Sequence, residues 1–184
     1  MRWILLVAAL VVSACHREHP QEPENRAGPP GFKRDGKTDG QDFVIWHKHL
    51  STPDIIIYDI QNGFVWTGDS QQGNLLLNLR DGAIFDASNT TMLCRYGGHY
   101  VGLVHLVDAA TSEVIFTTDE KVVFEGSSRV LSFWFRKADI YAGAKRNAEI
   151  VATASVDMSR VSAERKLLVA ALYSARCGAP VLDP

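Results

Sequence analysis

The chain lacks any run long and apolar enough for a permanent membrane-spanning helix. Its longest apolar stretch, Trp3 to Ala14, is twelve residues, about 18 Å as a helix against the roughly 30 Å hydrocarbon core of a bilayer. Net charge is also small: 19 Lys and Arg against 21 Asp and Glu leave −2, which gives no electrostatic ground for a nucleic-acid partner. Signatures of chemistry are missing. There is no P-loop, dinucleotide fingerprint or H-E-x-x-H, and Gly126-Ser127-Ser128-Arg129 lacks the G-x-S-x-G form of a hydrolase nucleophile elbow. No cofactor and no catalytic residue is therefore assigned. Cysteine is scarce, at three residues; Cys94 and Cys177 stand in no C-x-x-C and next to no histidine.

What is present begins at the N-terminus. Arg2 is the only charge in the first fifteen residues, an apolar run follows, and small Ser13 and Ala14 precede Cys15. This is the three-part layout of a secretory signal peptide. Val12-Ser13-Ala14-Cys15 has the apolar, small, small, cysteine order of a lipobox, so the chain resembles a bacterial lipoprotein precursor. The resemblance implies removal of residues 1–14, lipid on the Cys15 thiol and acylation of its freed amine. Such multiple acyl chains anchor stably where one chain does not. The next residue is His16 and not the Asp that retains lipoproteins at the inner membrane, which implies the outer membrane, facing the periplasm, in a Gram-negative cell.

With Cys15 used by lipid, Cys94 and Cys177 remain in an exported, oxidising setting where pairing is expected. A catalytic thiol or a metal pair is the alternative. Hydrophobic residues at 46% and charged residues at 22% are ordinary for one globular domain. Residues 15–40 collect Pro20, Pro23, Pro29, Pro30 and several glycines without apolar periodicity, and are predicted to be a disordered tether. Residues 41–184 are predicted to form a single β-rich domain.

Within that domain the β-branched and aromatic runs are interrupted by turn residues. Asp54–Ile60, Gln61-Asn62-Gly63 and Phe64–Thr67 read as a hairpin; Asn74–Leu79 and Ala83–Asp86 flank Arg80-Asp81-Gly82 as a second. Alternation continues through Arg136, and Glu149–Met158 has a period of two. About nine strands in an antiparallel meander are expected. A helix is predicted from about Ser159 to Cys177, with Val161, Leu168, Ala171, Leu172 and Ala175 on one face. The expected fold is α+β: an antiparallel sheet or sandwich-like domain covered on one face by the C-terminal helix, with Cys177 tied to Cys94.

Binding features are few. His47 and His49 form H-x-H, the same face of an extended segment and a spacing suited to metal, although a solvated strand end accounts for it as well. Tyr96-Gly97-Gly98-His99-Tyr100 offers glycines that admit close approach of a ligand, or simply a turn. His99 and His105 have the parity of Val101, Leu103 and Val107. The aspartates Asp54, Asp59, Asp69, Asp81 and Asp86 show no spacing that pairs them. In Ser132-Phe133-Trp134-Phe135-Arg136, Trp134 and Arg136 share one face and the phenylalanines the other. Trp134, Arg136 and Tyr100 are candidate partner contacts, with burial of Trp134 under the helix as the alternative.

These features point to a lipid-anchored, non-enzymatic protein-binding module of the cell envelope, by analogy an inhibitor or immunity protein. A histidine-containing envelope hydrolase near His47, His49 and His99, or a structural component of an envelope complex, are the competing readings.

Overall fold

The computed structural model describes residues 42–47, 56–68, 70, 73–98, 102–144 and 148–181. Among them are twelve strands: β1 Phe43–His47, β2 Ile56–Gln61, β3 Phe64–Thr67, β4 Asn74–Arg80, β5 Ala83–Asp86, β6 Met92–Gly97, β7 Val104–Asp108, β8 Val114–Thr118, β9 Val122–Glu125, β10 Leu131–Arg136, β11 Asp139–Ala142 and β12 Glu149–Ala154. A 3-10 turn, Met158–Arg160, precedes α1 Ala163–Tyr173, the one α-helix among the described residues. Each strand pairs antiparallel with its sequence neighbours, and β12 pairs with β1, so the meander closes into a barrel.

This corrects the expected fold. The domain is mostly β and has no open sheet to be covered: it is a closed twelve-stranded antiparallel barrel, not an α+β sandwich. The strand that the sequence did not reveal, β11, comes from the region after Arg136. Lys137 adopts φ 53°, a tight turn forms, and β10 and β11 pair from Arg136↔Asp139 to Phe133↔Ala142. Closure rests on the register Ile45↔Ala154 and on Val44 N–H donating to Ser155 Oγ at 3.0 Å across 111 residues of sequence.

The expected hairpins form as the turn chemistry dictates. Asn62 and Gly63, with φ 51° and 79°, join β2 to β3; Asp81 and Gly82, with φ 50° and 70°, join β4 to β5. Two positive φ values in a two-residue loop match the right-handed twist of the strands. Gly63 is further constrained, since a Cβ there would lie 2.9 Å from the Leu79 carbonyl oxygen.

Inward-facing residues are apolar along successive strands: Ile45, Tyr58, Ile60, Val65, Leu77, Ile84, Leu106, Val123 and Ile140 are buried in one core with α1. The helix lies in the lumen. Arg165 through Leu172 are buried without a break, so at 3.6 residues per turn no face of α1 meets solvent. It runs against β7, β8 and β9, while the Tyr173 ring lies 6.4 Å, edge-on, from Tyr58 of β2. β2 and β8 are six strands apart in a ring of twelve, on opposite walls. The physical cause is size. Eight strands enclose a space that side chains alone can fill, and a twelve-stranded barrel is roughly half as wide again.

The helix predicted from Ser159 is shorter at both ends. Asp157 caps the 3-10 turn, and Ser162 caps α1 by accepting from Arg165 N–H. Beyond Tyr173 the chain turns back through Ala175 and Cys177, both with positive φ. Cys177 is disulfide-bonded to Cys94 of β6, with Cα atoms 5.6 Å apart. Gly178 sits tightly on the same strand: a Cβ there would meet Leu93 Cδ1 at 2.7 Å. The expected pairing of these cysteines is thus present, and it ties the lumen helix to the wall.

Candidate functional site

α1 enters the lumen at the end carrying the turns 62–63, 81–82, 119–121 and 137–138, and two clefts open beside its first turn there. The larger, about 670 Å³, has an apolar side formed by Val104, Phe135, Met158 and Val161, with Glu120, Glu164 and Lys166 among its polar lining. The smaller, about 300 Å³, lies between Arg80, Tyr96 and Arg165. Arg165 is 8% exposed and Lys166 3%. Lys166 donates from Nζ to the Glu120 carbonyl oxygen. Burial pulls the Lys166 pKa down, opposed by the charges of Glu120, Asp119 and Asp157. Tyr96 Oη is enclosed without a hydrogen-bond partner, and its pKa is pushed up by burial, with Arg165 acting in the opposite sense.

At the other end of α1, the hydroxyls of Tyr58 and Tyr173 are also enclosed and unpartnered. Burial pushes the Tyr58 phenol up to about 12 and Tyr173 higher still. An enclosed hydroxyl with no partner loses its hydration without compensation. Tyr58→Phe or Tyr173→Phe should therefore leave the barrel folded and raise its stability by about 1 kcal/mol, read from the thermal midpoint. Below pH 10 the phenols are neutral in both folded and unfolded chains. Above it the unfolded phenols ionise while Tyr58 keeps its proton to about pH 12, so stability should fall from pH 10 upward, less steeply in the Phe variants.

On the outer wall, Trp134 of β10 and Tyr141 of β11 are register partners whose rings stack at 3.9 Å. Phe133 turns inward and is buried, as the alternation predicts. Trp134 is half-buried on the outer side and not under α1; its indole N–H is enclosed and has no acceptor. Arg136, two residues on, is exposed. The structure therefore brings Trp134 and Arg136 to one patch and adds Tyr141, which sequence reasoning missed. Its only signal was its place in an unrecognised strand. Tyr100, the third candidate contact, lies outside the described residues, as do His49 and His99, and only the backbone of His47, the last residue of β1, is described.

The remaining candidates have local explanations. His105 faces outward, not with the apolar stripe, because its neighbours Val104 and Leu106 take the inward positions. Its Nδ1 pairs with Thr117 Oγ1 at 2.8 Å, and Gly98 is required beneath it, since a Cβ there would lie 2.3 Å from the imidazole Cδ2. Among the five aspartates considered, Asp54 and Asp69 are not described. Asp81 turns at one end of the barrel, Asp86 binds the Thr90 and Thr91 N–H groups at the other, and Asp59 accepts from Ser70 N–H and Gln61 Nε2. No group of three metal-ligating side chains occurs among the described residues.

Fold and site together define a twelve-stranded meander barrel whose lumen is filled by its own C-terminal helix. Comparison of the chain with protein-family models, curated proteins and solved structures finds no match to any of them.

Proposed function

We propose that the chain is a lipoprotein of the cell envelope, acylated at Cys15, that binds a protein partner through the outer wall of β10 and β11. The observation that carries the binding role is the stacked Trp134–Tyr141 pair beside exposed Arg136. Aromatic residues and arginine are the side chains enriched at protein contacts. The filled lumen supports the same reading, since α1 occupies the space in which a container barrel would hold a ligand. The strands, four to seven residues long, are shorter than the nine to eleven that cross a bilayer, which agrees with attachment through lipid. An inhibitor or immunity protein acting on an envelope enzyme is the narrower role proposed, and the outer membrane facing the periplasm is its proposed place.

The test has two arms. Intact mass of the membrane-extracted protein should show residue 15 as the first residue with added acyl mass, and Cys15→Ser should release the protein from the membrane fraction. Crosslinking of the acylated protein in its own envelope should capture a defined partner. Arg136→Glu or Trp134→Ala should reduce that capture at least tenfold, while Met92→Ser, at an exposed position of β6 four strands from β10, should not. Equal capture by all variants would reject the outer-wall site.

A further inference from the structure

Lys166 occupies a position that folding alone does not favour. It is the fourth residue of α1 after the Ser162 cap, next to Arg165, in the turn where the helix dipole disfavours positive charge. It is also almost fully buried, and lysine is rarely so unless paired. The hydrogen bond of its ammonium goes to a neutral acceptor, the Glu120 carbonyl oxygen. An ammonium carries three donors, so that bond uses one of them. A sequence that breaks two stability rules at one residue beside a cleft marks a place where another requirement operates.

We infer that the larger mouth cleft binds an apolar carboxylate, with Lys166 as the cation for its head and the wall of Val104, Phe135, Met158 and Val161 as the seat of its body. The cleft lining has three cations, Lys121, Arg160 and Lys166, against two anions, Glu120 and Glu164, whereas the whole chain carries −2. Two further carboxylates, Asp119 and Asp157, also act on Lys166 from beside the lining, each held in its own turn. Asp119 accepts from the N–H groups of Lys121 and Val122, and Asp157 from the N–H and hydroxyl of Ser159. A carboxylate at the cleft floor would pair with a desolvated ammonium, where Coulomb attraction is stronger than at the surface, while its hydrocarbon leaves water against the apolar wall. This site is independent of the outer-wall patch, which lies on the other side of the sheet.

The probe is hexanoate, with 1-hexanol as the uncharged control, titrated calorimetrically into the folded protein. Hexanoate should bind saturably, 1-hexanol at least tenfold more weakly. Lys166→Met, which keeps the stem and removes the charge, should bring hexanoate down to the level of the alcohol. Nitrogen-detected NMR of the lysine Nζ groups in the unmodified protein gives a second readout that does not depend on Lys166→Met folding. One buried Nζ signal, absent from Lys166→Arg, should shift on saturation with hexanoate. Equal affinity for hexanoate and hexanol, undiminished hexanoate binding by Lys166→Met, or an unmoved Nζ signal would overturn the assignment.

Discussion

Replacing Cys94 and Cys177 together with alanine should lower stability by about 4 to 5 kcal/mol, measured by equilibrium denaturant unfolding, with a steeper slope because the unlinked unfolded chain exposes more surface. The magnitude follows from the sequence separation of 83 residues, because closing so long a loop removes much of the unfolded chain's freedom. A domain with ordinary stability of about 5 to 15 kcal/mol would lose roughly a quarter of it or more. Alanine is the right replacement, since Cys94 is fully buried and serine would add an unpaired hydroxyl. Reduction of the native protein should reproduce the loss, and the double variant should be insensitive to reductant. A change below about 1 kcal/mol would mean that the lumen helix is held by packing alone.

The second large effect tests where α1 lies. Leu167→Ala, Leu168→Ala and Leu172→Ala should each cost about 2 to 5 kcal/mol, and Val169→Ala more than about 1 kcal/mol. Leu167, Leu168 and Val169 point in directions about 100° apart, yet all three are fully buried. A helix laid on one face of a sheet must leave at least one of several consecutive positions in water, where truncation costs within about 0.5 kcal/mol. Equilibrium unfolding of the four variants therefore separates a helix surrounded by the barrel from one lying on it. A near-neutral member of the set would place α1 outside the lumen.

Much of the local structure was legible because it is written in local chemistry. Asn62-Gly63 and Asp81-Gly82 demand positive φ, and the alternation around Phe133 and Trp134 sorts inside from outside whatever the sheet becomes. The strand Asp139–Ala142 was less legible: four residues are too few for a period to declare itself, and Lys137 is not a residue that announces a left-handed turn. Arg165 and Lys166 carried no signal of burial, since charged residues in a helix's first turns ordinarily lie in water. The patch at Trp134 was half legible, for its outward parity could be read but its stacking partner Tyr141 sat in the unrecognised strand.

By itself the sequence determined the β character of the domain, its tight hairpins, a helix near its end and the pairing of the two cysteines left to each other. These follow from turn chemistry, side-chain period and cysteine number, all of which act over a few residues or by count. The closure of the wall by β1 and β12, the entry of α1 into the lumen and the gathering of Lys166 with Phe135 and Glu120 were decided only in three dimensions. An inward apolar residue looks the same in a sandwich and in a barrel. Which one forms depends on whether two strands a hundred residues apart meet in register, and that is a property of the whole ring.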